Sequence, residues 1–188
     1  MKFRILVPTY NEAESILPLL NNLTKVNVNG AEIDILLIDD GSPDGTVDIV
    51  QDQNYSNVKI MRRPGKSGLG PSYLAGIKTS MEDSSITHLV SMDADGSHLI
   101  IDLISLIDNA ILQPDALIIG SRWVSGGQIT NWPKYRKWIS KAGSGYAKTA
   151  LKLPIKDITG GFKIYPVSVL QRLDLAKIGS NGYCYQIE

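Results

Sequence analysis

The chain has 188 residues, of which 43% are hydrophobic and 20% are charged, and its formal net charge at pH 7 is zero. This length is enough for one sizeable hydrophobic core and short for two ordinary domains, so we expect a single domain over residues 1–188. The balanced charge lacks the basic excess that nucleic-acid-binding proteins usually show. The single cysteine, Cys184, excludes an internal disulfide and a multi-cysteine metal site, and it indicates a reducing, cytoplasmic setting.

The first strand-length segment, residues 3–8, is an almost unbroken apolar run. Such a run is typical of a strand that is covered on both faces in a parallel sheet. Polar residues 9–12 follow, and apolar residues then recur at helical spacing from Ile16 to Leu23. We expect Asn11 to cap this helix. Polar residues between a strand and a helix lie where open α/β sheets bind ligands.

The second strand, residues 33–38, ends in Asp39-Asp40-Gly41-Ser42-Pro43-Asp44-Gly45-Thr46. Turn formation and helix capping explain most of these residue types. Two adjacent aspartates exceed what a turn requires, and we expect Asp40 to accept hydrogen bonds from a nucleobase or ribose. The third strand, residues 58–61, leads into a basic turn around Gly65-Lys66-Ser67. This turn is not a P-loop, because position 60 is Ile where that motif needs glycine. Contact with a diphosphate and a purely solvated loop both remain open for it.

The fourth strand delivers the motif Met92-Asp93-Ala94-Asp95-Gly96-Ser97-His98. Carboxylates two residues apart on a turning backbone can converge on one hard divalent cation, Mg²⁺ or Mn²⁺. An acidic pair at a strand end also occurs as a turn former or helix cap. We interpret Asp93 and Asp95 as metal ligands, and we expect His98 to orient Asp95 or the backbone rather than to act as a base.

The remaining segments continue the alternation of strands and helices. A fifth strand, residues 116–120, is followed by Ser121-Arg122-Trp123, and residues 156–165 form a turn that leads into another strand. The short links predict a mostly parallel, doubly wound sheet with the unusual polar residues along one edge. Between these strands a basic helical segment carries Arg136 and Ser140, four residues apart, which we expect to hold a phosphate together. Residues 182–188 have the composition of an interior segment, so we expect a longer parent protein.

With these residues placed, the sequence resembles the family 2 glycosyltransferases of the GT-A fold, and within them the polyprenol-phosphate mannose synthases. The resemblance covers essentially the whole chain. It is carried by the motifs Val7-Pro8-Thr9-Tyr10-Asn11-Glu12, Ile38-Asp39-Asp40-Gly41-Ser42-Pro43-Asp44-Gly45-Thr46, Gly68-Leu69-Gly70, Asp93-Ala94-Asp95-Gly96-Ser97-His98, Ser121-Arg122-Trp123-Val124, Asn131-Trp132, Arg136, Ser140, Asp157-Ile158-Thr159-Gly160-Gly161-Phe162 and Gly182-Tyr183. It implies an α/β GT-A fold with a mostly parallel, Rossmann-like sheet between helices. Residues 1–121 would form the nucleotide-sugar half, and residues 122–188 the acceptor half.

The resemblance also implies site residues. The nucleotide sugar would be enclosed by Pro8, Tyr10, Glu12, Ile38, Asp40, Met92, Asp93, Ala94 and Asp95. Asp93, Asp95 and Ser97 would form the metal site, with Ser97 where the family often has Gln. Asp93, Asp95 and Arg122 would be the catalytic residues, and Arg122, Arg136 and Ser140 would receive the acceptor phosphate.

The implied reaction moves mannose from GDP-mannose to a polyprenyl or dolichyl phosphate, with inversion, at the cytoplasmic face of a membrane. A membrane domain or subunit outside this chain is expected to take part. A polyprenyl-phosphate glucosyltransferase or another family 2 enzyme that uses a UDP-sugar is the main alternative. A non-catalytic nucleotide-binding module is a further alternative, although the motif aspartates and Arg122 are retained. A dinucleotide-binding dehydrogenase is disfavoured because residues 8–12 contain no glycine.

Overall fold

A computed structural model gives the fold, and it describes residues 1–124, 145, 155, 157 and 160–180. Strands and helices alternate from the amino terminus through residue 119. In chain order the elements are β1 (Lys2–Thr9), α1 (Ile16–Leu23), β2 (Glu32–Asp39), α2 (Thr46–Gln51), β3 (Val58–Arg62), α3 (Leu69–Met81), β4 (His88–Ser91), α4 (Ile100–Leu112), β5 (Ile118–Ile119), β6 (Lys163–Pro166), α5 (Val167–Leu170) and a 3₁₀ turn (Leu175–Lys177).

The strands form one six-stranded sheet in the order β3-β2-β1-β4-β6-β5. β1 pairs in parallel with β2 and β4, and β2 pairs in parallel with β3. β6 lies antiparallel between β4 and β5. The sheet is therefore mostly parallel, as the strand and helix alternation predicts, and the carboxyl ends of β1, β2 and β4 meet at one edge.

Both faces of the sheet are buried, which explains the unbroken apolar strand runs. Ile5 and Val7 of β1 pack into one hydrophobic cluster with α1 and α4. Leu6, from the same strand, points into the other cluster with α3 and α5. The alternation of side chains along a strand produces this division. Each face of β1 thus needs apolar residues, because helices cover both.

The close packing of α3 on the sheet depends on a glycine. A Cβ atom added at Gly76 would lie 2.3 Å from Ile38 Cδ1 and 3.5 Å from Leu6 Cδ2. Any larger side chain would push the helix away from β1 and β2 or displace Ile38. Gly76 therefore sets the height of α3 above the sheet edge that carries the polar residues.

The expectation that Asn11 caps α1 is wrong. Asn11 has a φ of 60°, a left-handed conformation that asparagine tolerates better than most residues. The carbonyl of Glu12 accepts hydrogen bonds from the backbone N–H groups of Ser15 and Ile16, so a turn separates Asn11 from the helix. The helix begins only at Ile16, with Ser15 at the capping position.

Within the part of the chain that the structure describes, no helix combines the length and the apolar character needed to cross a membrane.

Candidate active site

A cavity of about 230 Å³ opens at the sheet edge where β1, β2 and β4 end and α3 begins. It has both polar and apolar walls. Its lining residues are Pro8, Thr9, Tyr10, Glu12, Asp40, Lys66, Gly68, Leu69, Ser72, Asp93, Ala94 and Asp95. The cavity thus brings together residues from four separate loops, at the edge that the strand and helix order indicates for ligand binding.

Asp93 and Asp95 both line this cavity, but their surroundings differ. The Asp93 carboxylate accepts a hydrogen bond from the hydroxyl of the buried Tyr73 at 3.1 Å. Burial raises the pKa of Asp93, and the charge of Asp95 adds to the rise, while His98 and Tyr73 oppose it. Asp95 is exposed, and its Oδ1 accepts a hydrogen bond from the Ser97 backbone N–H at 2.9 Å.

This acidic turn fits a divalent cation. In the part of the chain that the structure describes, no three His, Cys, Asp or Glu side chains form a preformed metal cluster. Asp93 and Asp95 are nevertheless two hard oxygen donors in one cavity, and the charge of Asp95 raises the cost of charge on Asp93. A cation between them would remove that repulsion, and water and phosphate oxygens commonly complete the coordination of Mg²⁺.

His98 supports the acidic turn, as its sequence position indicates. Its Nδ1 accepts a hydrogen bond from the Asp93 backbone N–H at 3.1 Å, so the ring proton resides on Nε2. Nε2 lies 4.0 Å from Asp93 Oδ2. The ring stacks on Phe162 with centroids 4.4 Å apart, and burial lowers the His98 pKa. His98 therefore orients the Asp93 backbone and is not a free base.

The residues after β2 hold the loop between β1 and α1. Ser42 Oγ accepts a hydrogen bond from the Asn11 N–H, and Thr46 Oγ1 accepts one from the Glu12 N–H. Asp44 accepts the Ala13 N–H at 3.0 Å. These three side chains therefore fix the loop that presents Tyr10 and Glu12 to the cavity. The sequence indicated only turns and caps for them, because the bonds cross about 30 residues.

Asp40 has protein partners on both carboxylate oxygens. Its Oδ1 accepts a hydrogen bond from Arg63 Nη1 at 2.6 Å, and its Oδ2 accepts one from Ser72 Oγ at 2.8 Å. The Ser67 N–H also donates to Oδ2, at 3.2 Å. Only 4% of Asp40 is exposed. Asp40 thus joins the turn after β3 to the start of α3 at the cavity wall.

Arg122 is held by a carboxylate to which the sequence motif assigned no role. Asp157 is fully buried and accepts three hydrogen bonds from Arg122: from the backbone N–H at 2.9 Å, Nε at 2.8 Å and Nη2 at 2.7 Å. Lys163 is also buried, and burial lowers its pKa to about 8 while Asp157 opposes that change. Arg122 is close enough to His98 to lower the pKa of that ring. Arg122 follows β5 and is not among the residues that line the cavity.

The structure places the predicted site residues in different surroundings. Seven of the nine predicted nucleotide-sugar residues line the cavity: Pro8, Tyr10, Glu12, Asp40, Asp93, Ala94 and Asp95. Ile38 and Met92 do not line it, because both are fully buried in the two hydrophobic clusters beneath. Ser97 is exposed beside the acidic turn. Arg136 and Ser140 lie outside the described residues.

Sequence reasoning missed the residues that hold the site together. Arg63, Ser72, Tyr73 and Asp157 all bind a predicted site residue through side chains that are distant in sequence. Asp157 belongs to the motif Asp157-Ile158-Thr159-Gly160-Gly161-Phe162, and an acidic residue shortly before two glycines was the available signal. The other three carried no local signal.

Comparison with known proteins identifies the family. Residues 4–174 match the family described as "Glycosyl transferase family 2". A "Polyprenol monophosphomannose synthase" of Mycolicibacterium smegmatis is 41% identical over 98% of this chain and 69% of its own length. An "Undecaprenyl-phosphate mannosyltransferase" of Micrococcus luteus is 42% identical over 100% of this chain and 76% of its own length.

Solved structures of low sequence identity share the fold. A mannosyltransferase from Pyrobaculum calidifontis, in complex with GDP-Man and Mn²⁺, has a TM-score of 0.61 at 16% identity, over 97% of this chain and 50% of that one. A glucosyl-3-phosphoglycerate synthase from Mycobacterium tuberculosis, with Mn²⁺, UDP and phosphoglyceric acid, has a TM-score of 0.69 at 14% identity, over 99% and 61%. The predicted GT-A fold is thereby confirmed. As the motifs at this sheet edge indicate, and as the match over residues 4–174 establishes, the chain belongs to glycosyltransferase family 2.

Proposed function

We propose that this enzyme transfers mannose from GDP-mannose to a polyprenyl phosphate, giving polyprenyl-phosphate mannose and GDP. The observation that carries the proposal is the cavity itself. In it, the turn that contains Asp93 and Asp95 and the loops that follow β1 and β2 line one space. Two relatives at 41% and 42% identity, both named for mannose transfer to a polyprenol or its phosphate, support this donor sugar and acceptor.

The donor would lie across the cavity. Its base and ribose would contact Pro8, Tyr10 and Glu12, on the loop that the β2 turn holds in place. Asp40 would form the wall behind them. Its carboxylate is bonded to Arg63 and Ser72, so contact with a base would be made by exchange of one of these hydrogen bonds.

Asp93 and Asp95, with Ser97 or a water at its position, would hold Mg²⁺ or Mn²⁺. A cation held there would stabilise the negative charge that develops on the departing diphosphate. The protein's own contribution is to orient Asp93. Tyr73 donates to one oxygen of its carboxylate, and His98 Nε2 faces the other at 4.0 Å. A preoriented carboxylate needs no rearrangement when the charge develops.

The acceptor would approach from the Arg122 side. A phosphate is already anionic at neutral pH, so the attacking oxygen needs positioning by cations and no general base. Arg122, held by Asp157, would supply one cation, and Arg136 with Ser140 would complete the phosphate site. Direct attack on the sugar carbon breaks its bond to the diphosphate and inverts the configuration. The acceptor is a membrane lipid, so we place the enzyme at the cytoplasmic face of a membrane, together with any membrane domain outside this chain.

The test is a transfer assay with a matched pair of variants. Asp95→Asn keeps an oxygen that can accept the Ser97 N–H bond but removes the charge, whereas Asp108→Asn makes the same change on the exposed face of α4. We expect metal-dependent formation of lipid-linked mannose by the wild type and the Asp108 variant. EDTA or Asp95→Asn should reduce it at least a hundredfold.

Parallel reactions with UDP-glucose test the alternative donor. Transfer from UDP-glucose in preference to GDP-mannose would replace the proposed donor. Transfer that persists in both EDTA and the Asp95 variant would contradict the role given to the acidic turn.

A further inference from the structure

Lys66 is a charged cavity residue whose role the proposed function leaves open. It lies on the turn after β3, and its Nζ is 4.3 Å from the centroid of the Tyr10 ring, a cation–π contact. Both residues line the cavity. A base that stacks on this face of Tyr10 would have to displace the ammonium group. The displaced group would remain within the same cavity.

The charges of the cavity wall indicate where the ammonium group would go. Among the residues that line the cavity, Lys66 is the single cation, while Glu12, Asp40, Asp93 and Asp95 are acidic. Asp40 is paired with Arg63 at 2.6 Å. The remaining three carboxylates repel an anionic ligand, so a diphosphate needs positive charge beyond that of one bound cation. Lys66 is placed to supply it.

Asp40 fixes the turn that carries Lys66. Its carboxylate binds Arg63 three residues before Lys66 and the Ser67 N–H immediately after it. The turn is thus anchored on both sides of Lys66, while the side chain itself is exposed and able to change rotamer. The amino-terminal end of α3 begins at the same wall, with Gly68 and Leu69 in the cavity lining, and its dipole favours an anion there.

We propose that Lys66 is a diphosphate-binding residue with two positions. It lies on Tyr10 in one, and in the other it donates hydrogen bonds to the phosphate oxygens of the bound nucleoside diphosphate while the base takes its place on the ring. This inference rests on the proposed function, since it requires a nucleoside diphosphate in the cavity. It does not depend on which base is bound.

The proposal predicts effects of opposite sign on nucleoside and nucleotide. Lys66→Gln removes the competitor for the Tyr10 ring, so guanosine affinity should rise by up to about fivefold, the equilibrium worth of one exposed cation–π contact. The same change removes a charge-assisted hydrogen bond to phosphate, so GDP affinity should fall about tenfold or more. The affinity for GMP should fall by less than the affinity for GDP. Lys66→Arg should stay close to wild type for GDP.

The measurement is calorimetric titration of GDP and GMP at saturating Mg²⁺, with guanosine measured by competition against GDP. Lys78→Gln, which removes an exposed lysine at the other end of α3, is the matched control and should bind all three ligands as the wild type does. The inference is overturned if Lys66→Gln binds GDP as the wild type does. It is equally overturned if guanosine and GDP weaken in parallel, because Lys66 would then serve the base. If the wild type does not bind GDP, the proposed function itself fails.

Discussion

The pairing of Arg122 with Asp157 gives the sharpest prediction for the proposed acceptor side of the site. The Asp157 side chain is 0% exposed and that of Arg122 is 23% exposed, and three hydrogen bonds of 2.7 to 2.9 Å join the two residues. Removal of one partner from a buried ion pair costs about 3–5 kcal/mol, because the other charge is left buried and uncompensated. Asp157→Asn keeps the shape and one acceptor oxygen, so we expect the lower end, about 3 kcal/mol.

A second buried cation adds to this cost. The charge of Asp157 raises the pKa of Lys163, which burial lowers to about 8. In Asp157→Asn that support is lost, and charged Lys163 becomes still less favourable in the folded protein. Urea unfolding measures the sum. With a slope near 2 kcal/mol per molar, a loss of about 3 kcal/mol moves the midpoint down by about 1.5 M.

The matched control is Asp174→Asn, which makes the same change in an exposed pair. Asp174 and Lys177 are 3.4 Å apart with side chains 58% and 83% exposed, and such pairs contribute less than about 1 kcal/mol. In the transfer assay Asp157→Asn should raise KM for polyprenyl phosphate about tenfold and leave KM for GDP-mannose within twofold. Equal urea midpoints for the two variants, or a selective rise in KM for GDP-mannose, would refute the reasoning.

Three further substitutions test the hydrogen bond to Asp93, the buried charge of Lys163 and the buried ion pair of Arg4. Tyr73→Phe removes the donor to Asp93, so the Mg²⁺ concentration for half-maximal transfer should rise severalfold; Tyr55→Phe, which loses an exposed hydroxyl bonded to Asn21, should leave it unchanged. Lys163 has a folded pKa of about 8 against 10.5 unfolded, so its charged form destabilises the fold below pH 8 and stability recovers as the pH rises toward 10.5. Lys163→Met should accordingly be more stable than wild type by up to about 3 kcal/mol at pH 7, with the difference vanishing near pH 10.5 in pH-dependent urea titrations. Arg4→Met breaks a buried bidentate pair with Asp34 and should lower the free energy of unfolding by about 3 kcal/mol, without changing either KM.

The strands and helices were predictable because burial leaves a local trace. The runs that form β1 and β2 are apolar on both faces, and α1 shows the spacing of a helix with one buried side. The order of the strands in the sheet has no comparable local signal in the sequence. β6 inserts antiparallel between β4 and β5, and its pairing of Ser91 with Lys163 joins residues 72 positions apart. The predicted fifth strand, residues 116–120, shrinks to Ile118–Ile119 because only this short stretch pairs with β6.

The location of the site was predictable for a related reason. Strand carboxyl ends in a parallel sheet share one edge, so polar residues after successive strands meet there. What each of them binds was not predictable. Asp40 has the residue type and position for a base contact, yet its partners Arg63 and Ser72 come from 23 and 32 residues further along the chain. The local sequence predicts that a carboxylate lies at this edge of the sheet. Its hydrogen-bond partners depend on the packing of segments that are distant in sequence.

Packing at the amino-terminal end of α3 determines the hydrogen-bond partners of Asp40 and Asp93. Ser72 and Tyr73 are neighbours, and they bind Asp40 and Asp93, which follow different strands. Both bonds require α3 to lie close to the sheet, and Gly76 permits this because a Cβ there would approach Ile38 to 2.3 Å. Ile38, fully buried and outside the cavity lining, thus affects the shape of the cavity through the height of α3. A larger residue at position 76 that pushed α3 outward would move both hydrogen-bond donors together, so the Asp40 side and the Asp93 side of the cavity are coupled through one helix end.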